Sequence, residues 1–152
     1  MPKIDIESVD LSSGCSYPHP FKAICLGPTW RKLGDAAGLT DFGVNLVRLP
    51  PGKWSSQRHW HTAEDEFVLV LEGEVILVED DGDHVLRAGE CAGWKAGVAN
   101  GHHLQNRSDR DAVYLEVGSR KPDTDACDYP DIDMVTGPEG YQHRDGTPYP
   151  EG

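Results

Sequence analysis

The sequence predicts an all-β fold, an antiparallel sandwich or barrel, on three observations. Apolar and polar residues alternate over many short segments, turn-forming residues separate these segments at regular intervals, and no long stretch carries a clean apolar stripe at helical spacing. The predicted strands are 44–49, 57–61, 66–71, 74–79, 84–88, 102–106 and 112–117. Most are rich in Val, Leu, Ile or aromatic residues with polar neighbours, the composition of a half-buried strand. Gly73, Asp81-Gly82, Gly89, Asn100-Gly101 and Ser108-Asp109 mark the turns, and Asp81-Gly82 between two apolar runs is a strong hairpin signal. A weak helical candidate at 30–39 is interrupted by Gly34 and Gly38.

Two flanks differ from this middle. Residues 1–30 contain Pro18, Pro20 and Pro28 among short apolar pieces and read as an N-terminal extension along a sheet edge. Residues 31–118 between them read as the sandwich or barrel. Residues 119–152 hold five prolines and six aspartates, a composition that predicts no core of its own. It reads as an extended C-terminal strap anchored by Tyr129, Ile132, Met134, Tyr141 and Tyr149.

At 152 residues the chain suits one core. Fourteen Lys and Arg against 26 Asp and Glu give a formal charge of -12, a field that repels phosphate backbones and anionic lipid. Nucleic acid and membrane are therefore not expected as partners. The longest aliphatic or aromatic run is 67–71, against the ~20 residues of a spanning helix. The first dozen residues carry Asp5, Glu7 and Asp10 and no apolar block, so a cytoplasmic location is expected. Cys15, Cys25, Cys91 and Cys127 lack any short paired spacing and read as reduced, structural thiols.

The chemistry concentrates between Gly52 and Gly73. In a strand, His59 and His61 project from the same face and their imidazoles can converge, while Arg58 and Trp60 face the other way. Glu66 begins the next strand after a four-residue gap, within reach of the histidines. Two imidazoles and a carboxylate suit a divalent transition metal. His102-His103 offers a third imidazole some forty residues later. Each piece also has an ordinary reading: solvated strand histidines, an acidic turn around Glu64 and Asp65, a pH-sensitive surface pair. Their joint occurrence in this order within a β pattern points to a metal site.

These residues resemble the cupins. The first cupin motif reads here as Gly52, His59, His61, Glu66 and Gly73, with one extra residue after Gly52. The second reads as Gly89, then Lys95-Ala96-Gly97, then His102 and Asn106, with Lys95 where proline is usual and four residues rather than two between Gly97 and His102. The His102 to Asn106 spacing and strand alternation favour His102, and His103 is the substitute if the Asn100-Gly101 turn shifts the register. The resemblance spans 44–117 and implies a single-domain cupin jelly-roll β-barrel with irregular N- and C-terminal extensions. It further implies a homodimer and one divalent transition metal ion, iron, manganese, zinc or nickel, held by His59, His61, Glu66 and His102.

On this reading the chain is a metal-dependent enzyme acting on a small polar molecule, of isomerase, dioxygenase or lyase type. The alternative is a non-catalytic module that binds metal and a small-molecule ligand. A titratable group beside the metal that is not itself a ligand separates the two, and Tyr114, Glu116, Lys95 and His103 are the candidates. Tyr114 and Glu116 share a strand face, although parity alone does not fix whether it points inward. Arg48 and Lys95 are candidates to neutralise an anionic substrate, and Gln57 to hydrogen-bond a ligand. Trp54, Trp60 and Trp94 read as packing, and the Glu79 to Asp83 cluster as a charged hairpin.

Overall fold

In a computed structural model, residues 2–150 are described. Thirteen strands and one short helix follow in order: β1 (Leu11–Ser13), β2 (Thr29–Lys32), α1 (Leu33–Ala36), β3 (Phe42–Leu49), β4 (Trp60–His61), β5 (Glu66–Glu72), β6 (Glu74–Glu79) and β7 (Gly82–Arg87). The rest are β8 (Cys91–Trp94), β9 (His103–Gln105), β10 (Ala112–Ser119), β11 (Cys127–Tyr129), β12 (Met134–Gly137) and β13 (Gly140–Gln142). Six strands form one antiparallel sheet in the order β1-β2-β3-β10-β5-β8, and β7-β6-β9 form a second.

The alternation read from sequence becomes a core between these two sheets. Strands β3, β5 and β10 contribute Val47, Leu49, Val68, Val70 and Tyr114, and β6, β7 and β9 contribute Val75, Leu77, Leu86 and Leu104. The result is a jelly roll, all-β apart from α1 and two short 3-10 turns. The β6–β7 hairpin pairs Glu79 with Gly82, so Asp80 and Asp81 make its turn. The β5–β6 turn requires glycine: Gly73 has φ +72° and a Cβ there would stand 2.8 Å from the Asp111 carbonyl.

Strand register settles the parity of β10. Tyr114 lies opposite both Val47 and Val70, and Glu116 opposite Asn45 and Val68. Val47, Val68 and Val70 are buried, so Tyr114 and Glu116 point inward. A β-bulge between Val113 and Tyr114, with Leu71 as the extra residue on β5, precedes this register.

The C-terminal segment departs from the extended strap expected of its composition. Its strands β11, β12 and β13 form a meander that adds to β4 in the order β13-β12-β11-β4. Tyr129 and Met134 bury with Cys127 against Tyr17 and Cys25 of the N-terminal segment, and Ile132, Tyr141 and Tyr149 pack around them. Each terminal segment supplies half of a small second core that neither could build alone, which is why local composition did not predict it. The segment before β3 likewise contributes β1 and β2 to the large sheet, and the helical candidate reduces to the four residues of α1. The strand expected at 57–61 is only Trp60–His61, because the chain bends through Gln57 and Arg58.

Candidate metal centre

His61 ends β4, His59 lies one residue before that strand, and Glu66 is the first residue of β5. An antiparallel bridge pairs His59 with His102, each backbone N–H donating to the other's carbonyl at 3.2 and 2.9 Å. All three imidazoles thereby face one carboxylate. Nε2 of His61 stands 2.8 Å and Nε2 of His59 3.6 Å from Glu66 Oε1, and Nε2 of His102 contacts Glu66 Oε2. Ligand atoms of His59, His61 and Glu66 all lie within 4.8 Å of one another.

The opposite nitrogen of each ring is held by an acceptor. Nδ1 of His59 meets the Gln57 carbonyl at 2.8 Å, Nδ1 of His102 the Asn100 carbonyl at 3.0 Å, and Nδ1 of His61 the Asp125 carboxylate at 2.7 Å. Trp94 stacks on His102 with ring centroids 3.9 Å apart and planes 3° from parallel. With hydrogen on each Nδ1, three Nε2 lone pairs and a carboxylate converge on one point, a donor set for a cation. The electrostatics agree. Burial would raise the Glu66 carboxyl, yet hydrogen bonds from His102, His59 and His61 overcome it and hold it far below the usual carboxylate range. Burial likewise disfavours a charged His61, but its contacts with Cys127 and Glu66 push its pKa up to about 12. Both shifts mark a place that demands positive charge, which a divalent cation supplies without protons.

The donor set forms one wall of a cavity of about 420 Å³. The inward face of β10 brings Tyr114 and Glu116 into the same cavity. Glu116 accepts a hydrogen bond from Asn45 Nδ2 at 3.0 Å, and burial raises its pKa above the ordinary glutamate value. Asn45 Oδ1 is buried and has no hydrogen-bond partner. Tyr114 is 2% exposed, and burial raises its pKa well above the ordinary phenol value, so it stays a phenol. Arg120 reaches the mouth, its guanidinium bonded to Asp35 of α1 and, at 3.3 Å, to the Leu39 carbonyl. Gly43 leaves room for it, since a Cβ there would stand 3.3 Å from Arg120 Nη2.

Other residues singled out in the sequence lie elsewhere. His103 also borders the cavity but faces away from Glu66: its Nδ1 donates to the Ser56 carbonyl at 2.7 Å, its Nε2 lies 3.0 Å from Gln105 Nε2, and Trp54 packs edge-on at 4.7 Å. Lys95 is exposed on the loop after β8 and does not line the cavity. Gln57 turns its side chain to the Phe21 carbonyl, 2.9 Å away, and meets His59 only through its backbone. Arg48 pairs with Asp111 in solvent. Three cavity or ring-holding residues escaped the sequence reading. Asn45 was accessible in principle, as a polar side chain at a position in phase with Val47 and Leu49; Arg120 and Asp125 carry no local signal.

A jelly roll with an imidazole and carboxylate donor set beside an internal cavity defines a small β-barrel protein with a candidate metal site. A family model described as "Cupin domain" matches residues 45–118. A crystal structure of a sugar phosphate isomerase from a cupin superfamily, from Silicibacter pomeroyi, is 44% identical, with 98% of this chain and 97% of that chain covered and a TM-score of 0.92. The chain belongs to the cupin superfamily. A candidate sugar phosphate isomerase from Acidithiobacillus ferrooxidans is 28% identical over 80% of this chain and 77% of that one, with a TM-score of 0.72. A polyketide cyclase from Streptomyces resistomycificus, 20% identical over 80% of each chain with a TM-score of 0.61, shares the fold. No curated protein matches the chain. No helix among the described residues is long and apolar enough to cross a membrane.

Proposed function

We propose that the chain is a metal-dependent isomerase of a small phosphorylated sugar, with the cation held by His59, His61, Glu66 and His102. The observation that carries this reading is Glu116, an inward-facing carboxyl in the same cavity as the donor set and not committed to it. The name of the Silicibacter pomeroyi protein supports the substrate class. When bound, a divalent cation supplies a Lewis acid that polarises the carbonyl oxygen of the sugar.

The protein's own residues do the rest. Glu116, whose raised pKa makes its carboxylate a stronger base and keeps its acid form accessible, takes a proton from the carbon beside the carbonyl and returns it to the carbonyl carbon, as the proton of the adjacent hydroxyl passes to the former carbonyl oxygen. The Asn45 amide holds Glu116 in place, and the unpartnered Asn45 Oδ1 accepts a hydrogen bond from a sugar hydroxyl. Arg120 at the mouth binds the phosphate, because a guanidinium matches phosphate oxygens with several donors at once. Trp94 borders the cavity as an apolar wall that limits water around the reacting carbons.

The test is aldose–ketose interconversion of phosphorylated pentoses and hexoses by protein loaded separately with manganese, ferrous iron, zinc or nickel, followed by proton NMR in deuterated water. Interconversion with deuterium entering the carbon beside the carbonyl is expected. Absence of both exchange and interconversion with every metal would overturn the proposal and leave a binding module.

A further inference from the structure

We propose that Asp125, which lies outside both cupin motifs, is the positioning residue that fixes the tautomer and ring orientation of His61, so that the segment leading into the C-terminal meander completes the metal centre. The inference rests on the reading of His61 as a ligand. His59 and His102 hand their Nδ1 hydrogens to backbone carbonyls, whereas His61 hands its own to a side chain, at 2.7 Å. That side chain is a carboxyl group with 10% of its surface exposed. A carboxylate behind a ligating imidazole both orients the ring and raises its donor strength.

Asp125 is itself held rigidly. Its second oxygen accepts the Ala63 backbone N–H at 2.9 Å, so one carboxylate spans the ligand and the backbone two residues beyond it. The flanking chain is tied to the same stretch. Thr62 N–H donates to the Ala126 carbonyl at 2.9 Å, Ala126 N–H to Thr62 Oγ1 at 3.0 Å, and Cys127 lies in register with His61. Asp125 N–H reaches back to the Lys121 carbonyl at 2.8 Å. The carboxylate is therefore fixed by two elements, which is what a positioning role requires.

His61, Asp125 and Cys127 could also be taken for a second cation site, since their ligand atoms lie within 4.8 Å of one another. The second ring nitrogen decides against it. Nδ1 of His61 stands 2.7 Å from Asp125 Oδ2, a hydrogen-bond distance, while Nε2 of the same ring faces Glu66 in the main donor set. A second cation on Nδ1 would have to displace its hydrogen and turn His61 into a bridging imidazolate anion.

The test uses the full chain with zinc(II) as the probe, comparing wild type, Asp125→Ala, Asp125→Asn and His61→Ala. Zinc affinity is read by chelator competition, stoichiometry by elemental analysis, and the histidine tautomers by nitrogen-15 NMR of the zinc-loaded protein. Asp125→Asn keeps the volume and folds even if Asp125→Ala does not, yet it cannot serve both the imidazole and the Ala63 N–H as an acceptor. The expected result is one zinc per chain in wild type, affinity weakened about 10–100-fold in the Asp125 variants, and faster exchange of the His61 Nδ1 hydrogen with those of His59 and His102 unchanged. Wild-type affinity and an unchanged His61 signal in both Asp125 variants would overturn the proposal. So would two zinc ions in wild type falling to one on substitution, which would establish the second-site reading. Unchanged zinc binding in His61→Ala would instead remove the ligand assignment on which the proposal stands.

Discussion

Glu116→Gln separates the chemistry proposed for this cavity from the architecture that surrounds it. The amide has nearly the shape of the carboxyl and can still accept the hydrogen bond from Asn45 Nδ2, now 3.0 Å away, so strands β3 and β10 have no reason to move. It cannot take up or return a proton at carbon. Loss of a positioned acid–base group costs typically ~10²–10⁴ in rate, about 3–5 kcal/mol of barrier. Metal content should stay at the wild-type level, because Glu116 contributes nothing to the donor set. Stability supplies an independent check whose sign follows from the raised pKa. A carboxyl that binds its proton more tightly folded than unfolded loses stability as pH rises above the ordinary glutamate value, since the native state then holds the extra proton. Replacing it with glutamine removes that loss. The variant should be at least as stable as wild type at pH 7 in denaturant melts, with the difference shrinking toward pH 5. Steady-state kinetics, metal analysis and melts on the same preparations check all three. A variant with wild-type kcat would refute the assignment of Glu116, and one that lost its metal would show that the carboxyl belongs to the centre itself.

Arg120→Met should raise KM for a phosphorylated sugar roughly 10–100-fold, the worth of a charge-assisted hydrogen bond, with kcat little changed. KM for the unphosphorylated sugar should not move. His59→Ala should abolish stoichiometric metal while leaving the circular dichroism intact, because its bridge to His102 is made by backbone groups, at 3.2 and 2.9 Å. Acidification should release the metal, since protons compete for the imidazoles and affinity falls as pH falls, a loss that metal analysis after dialysis would follow. Leu49→Ala, at a side chain with no exposed surface, should cost about 2–5 kcal/mol in a urea melt without changing the metal content.

The central strands were legible because each needs only its own alternation. Residues 74–79 read as a strand and form one with the same bounds, and 66–71 differs from β5 by a single residue. The terminal segments were not legible, for a physical reason. Tyr17 packs edge-to-face on Tyr129 with centroids 5.7 Å apart, and Phe21 on Tyr149 at 6.2 Å. Such contacts join residues more than a hundred positions apart, and neither partner lies in a segment with a period of its own. Proline and aspartate counts described the C-terminal segment correctly as poor in local core formers, yet a three-stranded meander needs only a borrowed apolar surface, which residues 15–25 provide.

The candidate site divides along the same line. Sequence spacing sufficed for His59, His61 and Glu66, because a strand's two-residue period and a short turn fix their mutual reach. The choice between His102 and His103 depended on which of them bridges to His59, and the chain pairs His102 there, sending His103 to Ser56 and Trp54. The inward direction of Glu116 likewise came from its register against Val68 and Asn45 rather than from its own strand. Asp125 reaches His61 across 64 residues of chain. Three of the four proposed donors are thus written into one local motif, while His102 and the groups that aim the rings are drawn from wherever the fold closes over it. The orienting contacts of such a site can therefore differ between barrels that share the same donor set, and variation in metal affinity and chemistry is to be sought in those contacts before it is sought in the ligands.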